Sequence, residues 1–280
     1  GYVRNTGLEL SLGYGHTWNN NFRWDSNFTL SHNKNKIKEL VRDYVHPETG
    51  ELINKDRLDV GGLGKARFIL KEGGTLGDLY TQSDLKRDDN GMVDIDPTGI
   101  VAIENNLPDI KLGSVFPKAN LAWSNHFSWK GISLSALFTA RIGGIVYSAT
   151  EAAMDQYGVS ERSALARDNG GVLVNNRTLV DAQNYYTTIG SESGLPQYYT
   201  YNATNVRLQE ASIGYLIPRK WLGNVCDIQV SVIGRNLWMI YNKAPFDPES
   251  VATTDNYYQG IDYFMLPSTR NIGFNVKINF

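Results

Sequence analysis

The stretch "RNIGFNVKINF", Arg270 to Phe280, ends the chain with an apolar side chain at every second position. Side chains alternate across a pleated backbone, so Ile272, Phe274, Val276, Ile278 and Phe280 share one face of a strand. Asn271, Gly273, Asn275, Lys277 and Asn279 share the other. Such a strand either covers the core of a soluble sandwich or turns its apolar face to lipid and its polar face to an aqueous lumen.

The same alternation recurs upstream. "TGLELSLGYGHTW" sets Leu8, Leu10, Leu12, Tyr14, His16 and Trp18 against Glu9, Ser11, Gly13, Gly15 and Thr17. "NFRWDSNFTLSHNK" follows after an Asn-rich turn, which predicts a hairpin. "PKANLAWSNHFSW" and "GISLSALFTARIG" form a second pair around Lys130-Gly131, and 204–217 with 225–240 flank "PRKWLGN". Weaker candidates, 65–72 and 75–82, flank Gly73-Gly74. With the terminal strand these make about nine strands. Short links near 18–21, 73–74, 129–131 and 218–224 alternate with long ones over 34–63, 83–116, 143–203 and 241–269. In an up-and-down sheet, alternate links lie at the same end, so tight turns gather at one end and large loops at the other, as in outer-membrane barrels. "EAAMDQYGVSERSALARD" is compatible with a helix on the longest link, and "NKIKELVRDYV" with another stopped by Pro47.

Composition narrows the function. The 27 basic and 29 acidic residues of this 280-residue chain leave a net charge of -2, which gives no electrostatic footprint for nucleic acid. Cys226 is the only cysteine, so neither an internal disulfide nor a CxxC site is possible. No apolar run of about 18 residues encodes a membrane helix, but each strand of a membrane barrel is only half apolar and escapes that test. Aromatics make up 11% of the residues, 16 of them Tyr, which fits interfacial girdles and carbohydrate-binding surfaces alike. The chain starts at Gly1 with no secretory leader pattern, and is expected to be a piece or a processed product.

Catalytic and metal motifs are missing. "KRDDNGMVDIDPTG" gathers Asp88, Asp89, Asn90, Asp94 and Asp96, yet an EF-hand counted from Gly91 would place Lys86 and Pro97 at its two obligatory acidic positions. The stretch reads as an acidic solvated turn. His16, His32, His46 and His126 have no ligand spacing, and neither a GxSxG elbow nor a Walker loop occurs. No catalytic, cofactor or metal residue is assigned. Substrate or partner contact falls instead on tyrosines of the long links: Tyr157, Tyr185, Tyr186, Tyr198, Tyr199 and Tyr201 in one, Tyr257, Tyr258 and Tyr263 in another. A phenol joins a flat apolar face to a hydroxyl, suited to stacking on sugars or docking a protein; loop packing is the competing reading.

An ordered set of blocks carries a resemblance. "TGLELSLGY", "WDSNFTLSHNKNKI", "KEGGTLGDLY", "FPKANLAWSNHFSWKGISLSALFTARIGGIVYSAT", "NVRLQEASIGYLIPRKWL", "VSVIGRNLWMI", "FDPES" and "GIDYFMLPSTRNIGFNVKINF" resemble the carboxyl-terminal barrel of SusC/RagA-like TonB-dependent transporters of Bacteroidota outer membranes. Arg207-Leu208, Gly214-Tyr215 with Pro218, Gly234-Arg235-Asn236-Leu237 and Asp247-Pro248-Glu249 are the most specific elements. The acidic turn "DDNGMVDIDPTG" departs from the family pattern.

The resemblance implies an all-β fold, a transmembrane antiparallel barrel of about 22 strands with a plugged lumen, of which residues 1–280 supply about nine strands. Signal sequence, amino-terminal domain, TonB box and plug have no counterpart in these residues. It further implies residence in the bacterial outer membrane and active import of a glycan or a peptide. Its implied partners are a SusD-like surface lipoprotein, TonB acting through the absent amino-terminal part, the remainder of the barrel and outer-membrane lipid, with no enzymatic step. Long links would lie outside the cell, and Ile272, Phe274, Val276 and Ile278 would face lipid while Asn271, Asn275, Lys277 and Asn279 face the lumen. Two rivals remain at this point: a passive porin, and a soluble β-rich carbohydrate-binding module that would bury Trp24, Trp123 and Phe274.

Overall fold

The computed structural model describes residues 1–253 and 258–280. Seven antiparallel strands form one sheet, each paired with its neighbour in sequence. They are β1 (Tyr2–Thr17), β2 (Arg23–Glu39), β3 (Ala119–Trp129), β4 (Ile132–Ile142), β5 (Asn205–Ile217), β6 (Asp227–Asn242) and β7 (Asn271–Asn279). This sheet is a wall: it is open, with β1 and β7 at its two edges.

The register turns alternation along each strand into rows across the wall. His16, Trp24, Phe127, Leu134, Ile213, Val232 and Phe274 are successive partners across all seven strands. One residue along, Thr17, Arg23, Ser128, Ser133, Gly214, Ser231 and Asn275 form the adjacent row, which faces the other way and contains no apolar side chain larger than hydrogen. In-register pairing is therefore what makes one face mainly apolar and the other mainly polar, with Leu137 and Ile233 as exceptions on the polar side. A bulge protects this order in β5. Phe138 pairs with Leu208 while Leu137 pairs with Glu210, so Gln209 is the extra residue. Leu208 and Ala211 thereby both stay on the apolar face despite their odd separation.

Two details show how the apolar face handles its polar atoms. Ser26 and Asn125 are partners in the middle of it. Trp24 Nε1 donates to Asn125 Oδ1 at 3.1 Å, and Trp123 Nε1 donates to Ser26 Oγ at 2.9 Å, a reciprocal clasp across β2 and β3. Both indole N–H groups thereby find an acceptor within the sheet. At the tight-turn end, Lys130 and Gly131 have φ of 47° and 88°, the left-handed pair demanded by a two-residue hairpin whose twist matches its strands.

Of the nine expected strands, seven build the wall. The other two, found as Ala66–Lys71 and Asp78–Thr81, lie in a separate four-stranded sheet with Arg57–Leu63 and Ile110–Ser114. Both are buried on both faces, so alternation was never the signal they carried. The expected links 34–63 and 83–116 consequently merge into one excursion between β2 and β3. Three short and three long links remain, still in strict alternation. "NKIKELVRDYV" is strand, not helix: β2 runs on to Glu39, and Val41–Val45 pairs with Leu52–Lys55. The helix expected on the longest link is present as two, α1 (Ala149–Gln156) and α2 (Glu161–Asp168), followed by α3 (Ala182–Gly190). Ser148 caps α1 by accepting from the Glu151 amide, a spacing visible as S-x-x-E in the sequence.

The three long links fold together into a rim above one end of the wall. A single apolar cluster joins Phe68, Leu79, Val101 and Val115 of the first link, Tyr147, Ala152, Leu195 and Tyr199 of the second, and Ile261 of the third. No wall residue belongs to it. The wall has no comparable core: Ile272 and Phe274 of β7 are 75% and 73% exposed. Among the described residues no helix is long and apolar enough to cross a membrane.

Candidate functional site

A groove of about 680 Å³ runs along the polar face below the rim. Glu9, Ser11, Thr29, Ser31, Asn120, Thr139 and Arg141 line it, one or two from each of β1 to β4, with Gln209 from the β5 bulge and Glu249 from the third link. The bulge is what presents Gln209 here. Glu249 is carried in by an ion pair nearly closed to solvent. Arg207, on the polar face of β5, donates from Nη2 to Asp247 Oδ1 at 2.8 Å and from Nη1 to Oδ2 at 3.1 Å. Its Nε and Nη2 also donate to Asn205 Oδ1, each at 3.1 Å. The Glu249 amide donates to Asp247 Oδ1 at 3.0 Å, and Asn205 Nδ2 donates to Glu249 Oε1 at 3.2 Å. Burial opposes ionisation of Asp247, but the bonds from Arg207 and the Glu249 amide outweigh it and hold the carboxyl below its usual range. The Asp247-Pro248-Glu249 turn is thus pinned to the wall by charge, and the carboxylate of Glu249 meets the groove.

Farther down the same face, Asp25, Asn27, Ser124, His126, Ser135 and Glu210 line a second hollow of about 320 Å³. His126 Nδ1 is 2.9 Å from Ser135 Oγ. Glu210 accepts from Arg235 Nε at 2.8 Å and Asp25 from Arg23 Nε at 2.6 Å. Hydroxyls, amides and paired charges thus gather along this face, with Ala136 and Leu137 among them. His16 lies in an apolar row and His126 in a polar one. Among the described residues no group of three His, Cys, Asp or Glu side chains could hold a metal ion.

The tyrosines separate into two sets. Tyr199 is fully buried, its hydroxyl donates to Asp155 Oδ2 at 2.8 Å, and the Arg162 guanidinium lies 4.8 Å above its ring. Asp155, itself buried, also accepts from Ser160 Oγ at 2.6 Å and Arg162 Nε at 2.8 Å, which ties the α1 end to the α2 cap. Tyr185 and Tyr186 meet edge to face at 5.3 Å against the rim core, and burial pushes the Tyr185 phenol up to about 12. Tyr198 packs on the same core, and Tyr201 sets its ring edge to face with Phe246 at 5.8 Å. In this conformation these five hold the rim together. Tyr157 is 76% exposed, and Tyr258 and Tyr263 are about half exposed, Tyr258 with its ring edge on Phe68. Tyr257 lies outside the described residues. Sequence reading missed Gln209, Arg141 and the Asp155–Arg162 pair. No periodic signal marks them, because a bulge, a link's path and a turn between helices bring them into place.

No family model matches the chain. Two curated proteins of Formosa agariphila do. TonB-dependent receptor P3 is 25% identical over 310 residues, covering 99% of this chain and 29% of that protein. TonB-dependent receptor P26 is 24% identical over 306 residues, covering 100% and 29%. Among solved structures, the RagAB peptide importer in its closed-closed state superposes with a TM-score of 0.67 at 17% identity, over 99% of this chain and 30% of that one. Its open-open state gives 0.65 at 17% identity, over 99% and 29%. The chain spans about three tenths of the length of the curated relatives it matches. It is similar, along its whole length, to part of a SusC/RagA-like TonB-dependent transporter.

Proposed function

We propose that residues 1–280 are the carboxyl-terminal portion of a SusC-like TonB-dependent transporter of the bacterial outer membrane, and serve the active import of a nutrient, a glycan or a peptide. In this reading the seven strands are wall segments of a barrel of about 22, with β1 and β7 paired to strands supplied by the rest of the polypeptide. The apolar rows meet lipid, the polar rows line the lumen, and the rim stands outside the cell beneath a SusD-like surface lipoprotein. TonB would act through the amino-terminal part. Binding and passage are the whole of the chemistry.

One observation carries the reading: adjacent rows across seven strands are predominantly apolar and predominantly polar in turn, with large apolar side chains left uncovered. A soluble module would bury them, yet Trp123 and Phe274 are 46% and 73% exposed. The test is uptake of labelled peptides and oligosaccharides by cells bearing the full-length protein. Uptake that stops when a protonophore collapses the inner-membrane gradient supports active import. Undiminished uptake would identify a passive porin, and recovery of the protein from membranes without detergent would identify a soluble module.

A further inference from the structure

On the apolar face of β1 and β2 the alternation runs on past the last apolar side chain. Register partners climb this face from His16–Trp24 through Tyr14–Ser26, Leu12–Phe28, Leu10–Leu30 and Leu8–His32, and continue as Thr6–Lys34 and Arg4–Lys36. Parity is unbroken over that length, because the one irregularity of the pair falls between Tyr2 and Val3. Arg4, Lys34 and Lys36 therefore stand on the same side of the wall as Leu10 and Leu30, and all three are exposed. Lys38, also exposed, follows at the irregularity. Leu8 to Trp18 covers about 34 Å of extended chain, and at a barrel tilt of about 40° about 26 Å of height, the thickness of an outer-membrane apolar band. The cations begin where that band ends.

They lie at the rim end of the strands. Asn35 and Ile37, which alternate with the lysines and face the other way, are buried under the first link. The Leu76 amide donates to Asn35 Oδ1 at 2.9 Å, the Ile37 amide donates to Gly74 O and the Gly73 amide donates to Ile37 O, both at 2.8 Å. With that side of β2 covered, its lysines are turned to the outside of the wall. Their charges are unbalanced there. On the polar face Arg23, Arg207 and Arg235 each have a carboxylate within 2.8 Å. Arg4, Lys34, Lys36 and Lys38 have no ion pair among the described residues, and Glu39, the acid beside Lys38, is paired with Arg42 at 4.0 Å. Arg4 and Lys36 are direct partners, so two like charges meet across the strands with Cβ atoms about 5 Å apart, which costs stability until an anion lies between them. Lys34 is about 7 Å farther along the same face. A phosphate monoester, with up to about two negative charges and three acceptor oxygens, matches such a group of donors.

We propose that Arg4, Lys34 and Lys36, with Lys38 beyond them, bind the phosphorylated headgroup of an outer-leaflet lipid whose acyl chains lie along Leu10 and Leu30. The proposal rests on the membrane reading of the apolar rows and adds to it a site of defined charge. The test is titration of the full-length protein in neutral detergent with diphosphoryl lipid A, with phosphatidylcholine and with inorganic phosphate. Lipid A should bind about tenfold or more tightly than either of the others, and about 0.5 M NaCl should weaken it. Arg4→Gln with Lys34→Gln and Lys36→Gln should lower the lipid A affinity about 100-fold, at roughly fivefold for each cation removed. Lys34→Arg with Lys36→Arg should keep it, and Lys277→Gln, on the polar face, should leave it unchanged. If the triple variant fails to assemble, the single changes Lys34→Gln and Lys36→Gln decide the matter, each with a loss of about fivefold. Equal affinity of wild type and variants, or of lipid A and phosphatidylcholine, would overturn the proposal. So would inorganic phosphate binding as tightly as lipid A, or loss of a co-purifying protein from the triple variant with lipid A binding intact, which would give the cations to a protein partner. Absence of the lipid A preference in a protein that still needs detergent for extraction would defeat this site alone. Recovery of the wild type from membranes without detergent would defeat the membrane reading and the site with it.

Discussion

Wall and rim are made from one chain but solve opposite problems. The rim buries its apolar residues against one another, down to Phe68, Leu79 and Tyr199 with almost no exposure. In the wall, residues of the same kinds stand uncovered on a sheet one layer thick, and only the in-register rows give them order. A rim of this type is stabilised by packing between its own elements, so it behaves as a globular domain. Under the proposed membrane reading, the wall takes its stability from the solvents on its two sides, and what it must preserve is parity.

That difference can be broken most forcefully in the rim. Phe68→Ala should open a cavity under the Tyr258 ring and cost about 3–5 kcal/mol, because neighbours fixed by three links relax little. It should appear as rapid proteolysis of the rim in intact protein while the wall stays resistant. Equal loss in both regions would mean the rim has no separate core. The wall answers to charge and side, not to volume. Phe274→Arg, on an apolar row, should lower insertion stability by about 2–4 kcal/mol, whereas Asn275→Arg, one residue away on a polar row, should change it by under about 1 kcal/mol. Folding yield into lipid vesicles measures both. Similar penalties at the two positions would erase the distinction between lipid and lumen.

The wall was legible in the sequence because its cause is local: a period of two marked β1 to β7, and the short turns at Lys130-Gly131 and Pro218 to Asn224 located its hairpins. Its parity was not fully legible, since the extra residue Gln209 shows itself only through pairing with Glu210 and Leu208 assigned. The rim was mostly hidden. Ala66–Lys71 and Asp78–Thr81 are buried on both faces and lose the alternation, and β2 keeps its strand beyond Asn35 because β1 pairs with it as far as Glu39 on one side and Gly73 and Gly74, far along the chain, bond to Ile37 on the other. The tyrosine clusters were noticed for their chemistry, but Tyr199 was claimed by Asp155, a partner 44 positions away. Of the candidate site, the Asp247-Pro248-Glu249 motif was readable and its anchor Arg207 sat among the same family blocks; the groove they serve needed the sheet.

A smaller effect sharpens the wall's side of the comparison. Asn125 and Ser26 are polar residues on the apolar face, tolerated because two indoles close over them. Asn125→Leu should leave Trp24 Nε1 without an acceptor and cost about 1–2 kcal/mol in lipid. Adding Trp24→Phe removes the orphaned donor, so the double variant should recover most of that loss. Additive losses would mean that water reaches the pair and that this part of the face is not in lipid.

The least effect belongs to the rim and to pH. Asp109 accepts from Arg57 Nε at 2.7 Å and Nη2 at 2.9 Å, from Lys71 Nζ at 2.7 Å and from Gln82 Nε2 at 2.9 Å, locking the end of the first link to its beginning. The Arg57 bonds, aided by Lys71 and working against burial, hold the carboxyl well below the usual carboxylate range. With the folded value depressed, the stabilisation is whole above the unfolded value near about 4 and is lost as pH falls below it. Because Arg57 and Lys71 are each more than a third exposed at the side chain, screening limits the contribution to about 1 kcal/mol or less. Proteolysis or hydrogen exchange of the rim between about pH 5 and pH 3 should therefore show a mild acid loosening that Asp109→Asn abolishes, with the variant already at the loosened level at neutral pH. Wall exchange should not follow it. A variant that keeps the wild-type acid slope would remove Asp109 as its source and shift attention to Asp247, whose ion pair binds the rim to the wall.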